Sequence, residues 1–256
     1  MNAILSTMQG KKTVECHGKP IQGVFRWQRT VPIILLLFGM ALGQTNLLVC
    51  LPGKQNTQLL QNCFDSLLGP SHAIVFGRLK DLEATIPTTP NAAIIAFAPL
   101  FDYLQGYTSV LVGKNKKTSG EKYFIVAASK EITKENIAGK KVGIIDLLFR
   151  DHLPQFVKDQ FNVGIKSLKR VNKEDDLLTM LGLESVDAII VSSTQYKEIL
   201  SNTKQPLAIL ATSKNDVGFA VCAAKEGTMD LELKKALLKS SNLLLRGMGL
   251  DSWETP

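Results

Sequence analysis

The 256-residue chain is 45% hydrophobic and 21% charged, a globular composition that excludes disorder, collagen, coiled coil and repeat arrays. That length holds one large domain or two lobes of roughly 100 residues each. The net charge of +7 resolves into +4 within residues 1–43 and +3 spread over the rest, so no long basic stripe marks a nucleic-acid groove.

Residues 31–43 form an apolar run behind a basic stretch ending Arg26-Trp27-Gln28-Arg29. Ala41 and Gly43 place small residues where a signal peptidase cuts, leaving Gln44 as the new N-terminus. The alternative is an uncleaved anchor, with the run extended through Leu47, Leu48 and Val49 to Leu51. Either way the folded part is expected in the periplasm or otherwise outside the cytoplasm.

Beyond Gln44, short apolar runs alternate with amphipathic stretches, the pattern of βαβ units on a parallel sheet. A buried strand over 46–51 closes at Pro52-Gly53. Asn56 or Thr57 then caps a helix whose apolar face is Leu60, Phe64, Leu67 and Leu68, stopped by Gly69. Strands follow at 73–76 and 92–96, with a short helix from Pro99 through Tyr103. Strands at 108–112 and 123–128 are expected to pair across a turn holding Lys114, Lys116 and Lys117.

A second series begins at Gly139, with a strand over 141–145. The next helix has Leu153, Phe156, Val157 and Phe161 on one face and Pro154 in its first turn. After a strand at 165–171, Asn172 is expected to cap a helix with Glu174, Asp175 and Asp176 in its positive first turn. The apolar strand 186–191 delivers Ser192-Ser193-Thr194 to another helix start. Strands at 206–211 and 217–223 and one helix from Asp230 to Gly247 complete the chain.

Four segments resemble the type II periplasmic (solute) binding proteins, in their order and rough spacing. Ile137-Ala138-Gly139-Lys140-Lys141-Val142-Gly143-Ile144-Ile145-Asp146 is similar to the opening of that family's second lobe. Ile94 to Tyr103 resembles the first-lobe ligand loop of its phosphate/phosphonate-binding branch. Leu183 to Ile190 resembles a second-lobe segment, and Leu207 to Ser213 resembles the strand that leads back toward the first lobe. His152-Leu153-Pro154 is similar to the start of that branch's first second-lobe helix. Where the branch has a Ser/Thr-rich loop, this chain has Leu147-Leu148-Phe149-Arg150, and it has Asn91 where the branch carries Asp.

The resemblance implies an α/β, two-lobed type II periplasmic-binding-protein-like fold, each lobe a mainly parallel sheet flanked by helices. The first lobe would be 44–130 plus about 215–256, the second 131–214, with 1–43 as signal peptide or anchor. A solute would sit between Pro52, Gly53, Lys54, Phe97, Ala98 and Tyr103 on one side and Asp146, Arg150, Ser192, Ser193 and Thr194 on the other. Several of these residues also have a plainer role. Lys54 is a solvated loop charge, Phe97 and Tyr103 are packing residues, and 192–194 form a helix cap. Arg150 pairs with Asp146 or Asp151, or clamps an anion.

No GxSxG, HExxH or phosphate-loop motif is present, and His17, His72 and His152 stand isolated. Cys16, Cys50, Cys63 and Cys222 have no metal spacing; among the last three at most one bridge could form, and buried free thiols are the plainer reading, above all for Cys63. The expectation is a non-enzymatic monomer without cofactor or metal. It would bind a small, possibly anionic solute such as phosphonate and dock an ABC-type permease. A membrane-anchored sensor or adaptor lobe, or an enzyme on the same fold, are the alternatives.

Overall fold

The computed structural model describes residues 47–53, 56–203 and 206–256. The segment 1–43 and Lys54 therefore lie outside the described residues.

All four residues of Leu47–Cys50 (β1) are buried, which requires cover on both faces of the sheet. Thr57–Leu68 (α1) starts where Asn56 Oδ1 accepts the Leu59 N–H at 3.1 Å and stops at Gly69, whose φ is 88°. Ala73–Val75 (β2), Leu79–Thr85 (α2) and Ala93–Phe97 (β3) follow, with a 3-10 turn over Ala98–Asp102. Helix α2 has no counterpart among the sequence expectations, because two turns are too few for a 3.6-residue period to stand out. Next come Tyr107–Lys114 (β4), Gly120–Glu121 (β5) and Tyr123–Ala127 (β6).

Lys141–Ile145 (β7), Leu153–Phe161 (α3), Ser167–Val171 (β8), Glu174–Gly182 (α4), Ala188–Ser192 (β9) and Ser193–Asn202 (α5) make the second series. The chain ends with Ala208–Thr212 (β10), Val217–Gly218 (β11), Ala220–Lys225 (β12), Leu231–Leu238 (α6), Asn242–Gly247 (α7) and Ser252–Glu254 (β13).

These strands form two sheets. The first has the order β13-β4-β12-β3-β1-β2, with β1, β2 and β3 parallel and β12 antiparallel to both its neighbours. The second has the order β10-β6-β9-β7-β8, with β7, β8 and β9 parallel. The chain crosses between sheets twice, and the crossings pair with each other as β5 and β11.

Four sequence expectations are corrected here. Strands β4 and β6 do not pair: the turn closes locally through Asn115 and Thr118, and β5 then carries the chain into the other sheet. Asn172 does not cap α4, whose N-cap is Lys173 without a side-chain bond. The strand expected at 217–223 is split at Phe219, which donates to Ser119 and accepts from Ala98. The last helix breaks into α6 and α7, since Ser241 Oγ caps a new helix by accepting the Leu244 N–H at 3.3 Å.

Burial follows the alternation along the strands. Leu47, Val49 and Leu51 pack with Phe64, Leu237 and Leu244 under α1, α6 and α7. Leu48, Cys50, Ile94 and Ala96, on the opposite face, belong to one buried cluster with Leu147, Leu148 and Leu153 of the second lobe. The loop after β7 therefore seals the two lobes together with apolar side chains. Burying each leucine contributes about 1.5–3 kcal/mol.

Replacing Leu148, which is fully buried at 0% exposure, by alanine is expected to cost about 2–5 kcal/mol. Leu183→Ala, at 75% exposure, should stay within about 0.5 kcal/mol of the parent. Urea denaturation compares the two, and equal midpoints would remove the seam from the account of stability.

Candidate functional site

The carboxyl ends of β1, β3 and β9 converge on the same crevice. A cavity of about 280 Å³ lies there, with Pro52, Phe97 and Phe219 from the first lobe facing Ser192, Thr194 and Gln195 from the second. That volume falls just below the range of small-molecule sites, which run from about 300 Å³ upward. Its charged lining residues are Glu121, Glu174, Glu198 and Arg246.

The second-lobe wall is the start of α5, where the N-cap and first-turn amides all have partners from the chain itself. The backbone N–H of Ser193 donates to the Lys122 carbonyl at 2.7 Å. Thr194 N–H and Ser193 Oγ–H both donate to Glu121 Oε2 at 2.8 Å. Ser192 Oγ accepts the Gln195 N–H at 3.2 Å, and Gln195 Oε1 accepts the Ser192 N–H at 2.7 Å, a reciprocal capping box. Gln195 Nε2 donates onward to Glu174 Oε1 at 2.6 Å.

On the first-lobe side, Gly53 N–H donates across the crevice to the Asn172 carbonyl at 2.9 Å. Gly53 has a φ of +132°, and a Cβ there would lie 3.0 Å from Glu174 Oε1. The conformation favours glycine, and a side chain there would also have to displace the Glu174 carboxylate.

A second cavity, about 200 Å³, opens between α2 and the end of β7, lined by Lys80, Glu83, Asp146, Arg150 and Arg170 among others. Asp146 pairs with Arg170 at 2.8 Å rather than with Arg150. Burial raises the Asp146 carboxyl above its ordinary value, the Arg170 charge and hydrogen bond oppose that rise, and the Glu83 charge adds to it. The buried Cys50 thiol is pushed up to about 12, by burial first and then by Asp146 and Asp81. Cys50, Cys63 and Cys222 are all free.

The expected site residues thus separate. Pro52, Phe97, Ser192 and Thr194 line the larger cavity, and Ser193 bonds Glu121 beside it. Asp146 and Arg150 line the smaller one. Tyr103 stacks on His152 with centroids 4.1 Å apart, an aromatic contact between lobes. Ala98 donates its N–H to Phe219, at the crossing. Glu121, Gln195, Phe219 and Arg246 were not singled out from sequence, and Asn172 and Glu174 were read there only as a helix cap and a first-turn acid. Only the Ser192–Gln195 spacing carried a local signal, as a capping box. Among the described residues, no group of three or more His, Cys, Asp or Glu is placed to hold a metal ion. No helix among them is long and apolar enough to cross a membrane.

Two α/β sheets facing across a crevice and joined by two crossing segments define the two-lobed type II periplasmic-binding-protein fold. Comparison with solved structures finds chains of similar fold. The chain is similar to XAC2383 from Xanthomonas citri bound to chloride ion, at a TM-score of 0.59 and 11% identity over 83% of this chain and 91% of that one. It is also similar to the same protein bound to ATP, at 0.58 and 10% over 83% and 92%. An amino acid ABC transporter substrate-binding protein, AbpA from Streptococcus pneumoniae, bound to L-arginine, aligns at 0.47 and 18% over 80% and 93%, a score that adds nothing to the fold assignment. At such identities the likeness is one of fold alone. No family model matches the chain, and no curated protein matches it.

Gly53→Ala should destabilise the protein by about 1–3 kcal/mol through backbone strain at the lobe contact. An unchanged urea midpoint would show that the contact is unimportant. For Asp146, a raised folded-state value means the folded protein holds its proton more tightly than the unfolded chain. Its contribution is therefore fully present below the unfolded value and is lost as pH rises through the folded one. Asp146→Asn should gain stability relative to the parent as pH rises from about 4. Paired melts across pH with a constant difference would contradict this.

Proposed function

We propose that the chain is a solute-binding protein that encloses one small molecule in the 280 Å³ cavity between its lobes and presents it to an ABC-type permease outside the cytoplasm. The observation that carries the reading is a cavity walled by both lobes, so that a bound molecule bridges them and favours the closed arrangement by its differential affinity. The basic and then apolar character of residues 1–43 supports export.

A binding role fits the lining better than catalysis. None of the described lining residues is His, Cys or Lys, and the Ser192 and Ser193 hydroxyls are hydrogen-bonded to the chain itself. An anionic solute such as a phosphonate draws support from Arg246 in the lining. A neutral or cationic solute draws it from Glu121, Glu174 and Glu198.

Thermal shift against neutral, cationic and anionic metabolites tests the proposal. A true solute at about 100 times its Kd adds about 2.7 kcal/mol. Thr194→Trp, which directs an indole at the cavity, should abolish that shift. A panel that leaves Tm unmoved, or a shift that survives Thr194→Trp, would count against solute binding at this place.

A further inference from the structure

The N-terminal turn of α5 is where the second lobe would offer unpaired amides to an anion. In this chain that place is taken. Ser193 N–H is used by Lys122, Gln195 N–H by Ser192 Oγ, and Thr194 N–H with the Ser193 hydroxyl by one oxygen of Glu121. Glu121 is 72 residues from Ser193 in sequence and arrives from the crossing strand β5, so this is no ordinary local cap.

Its backbone is rigidly placed. Glu121 is in register with Val217 on β11, and Gly120 beside it lies so close that a Cβ would sit 2.6 Å from the Val217 carbonyl oxygen. Gly218, the next residue of β11, approaches Ala98 Cβ as closely, at 2.5 Å from a built Cβ. A carboxylate delivered from such a tether forgoes the translational and rotational entropy that a free anion loses on binding. The two donors it accepts are therefore satisfied before any solute arrives.

We infer that Glu121 is a tethered internal ligand that fills the anion seat of α5 and thereby sets the specificity of the cavity. The solute presents no carboxylate or phosphate to this wall. It meets Glu121, Glu174 and Glu198 with a neutral or cationic group, and any anionic group it carries faces Arg246 of α7. The specificity claim rests on the solute-binding reading; occupation of the seat does not.

Chemical rescue separates the two. Glu121→Ala empties the seat and should lower Tm by a few degrees. Sodium acetate or formate should restore most of the loss, and sodium chloride at equal ionic strength should restore less. Glu121→Gln keeps an acceptor oxygen in place, so its Tm should stay near that of the parent and be indifferent to acetate. The parent protein should likewise be unmoved by acetate and inorganic phosphate, a measurement that needs no variant to fold. Acetate acting equally on the parent and on Glu121→Ala, or on neither, would overturn the internal-ligand assignment. Rescue without any solute in the metabolite panel would uphold the seat and sink solute binding. A phosphonate or phosphate whose stabilisation of the parent survives Arg246→Ala but is lost in Thr194→Trp would uphold solute binding and sink the claim that this wall takes no anion.

Discussion

Where the chain passes from one sheet to the other and back, two segments must run side by side with no room for side chains between them. A Cβ on Gly120 would meet the Val217 carbonyl, and one on Gly218 would meet Ala98, each at a separation that real atoms do not adopt. Around these glycines the crossings are tied in both directions. Tyr123 N–H donates to Ser213 Oγ and Ser213 N–H to the Tyr123 carbonyl, while Lys122 pairs with Asp216 at 3.2 Å. From this junction β6 enters the second sheet between β9 and β10, and β12 enters the first between β3 and β4. The same junction aims Glu121 at α5, so the backbone constraint and the chemistry of the cavity wall have one origin.

The crevice built on this junction is chemically uneven. On the side of β7 it is closed by Leu147 and Leu148, which join the cores of both lobes. Separating the lobes there exposes apolar surface at about 25 cal/mol per Å², a cost that a polar, hydroxyl-bearing loop would not carry. Toward α5 the interface is polar, with the Gly53–Asn172 bond and the Glu121 contacts, and the cavity remains open. The closed arrangement thus has an apolar clasp on one flank and a hydrogen-bonded rim with space for a small molecule on the other. The Tyr103–His152 stack adds a further bridge.

Much of the local structure was legible because its causes are local. Asn56 and Gly69 bound α1, Pro154 sits in the first turn of α3, and the buried runs at β7 and β9 read as parallel-sheet strands. Ser192 caps α5 as its position before a helix predicts. Misreadings came where a partner distant in sequence decides. The hairpin expected between β4 and β6 follows from proximity along the chain, but both strands find better apolar neighbours in different sheets. Asn172 is a good capping residue by type, yet the helix starts one residue later at Lys173, and the Asn172 carbonyl accepts from Gly53 of the other lobe.

By itself the sequence determined the βαβ alternation, the two series of similar size, and the apolar loop at Leu147–Phe149, since periodicity and residue type are properties of short windows. Only the tertiary structure decided which strands share a sheet, that the leucine loop seals the lobes, and that Glu121 meets Ser193 and Thr194. Those outcomes depend on contacts between residues tens of positions apart, whose closure the folded core stabilises and no local pattern encodes.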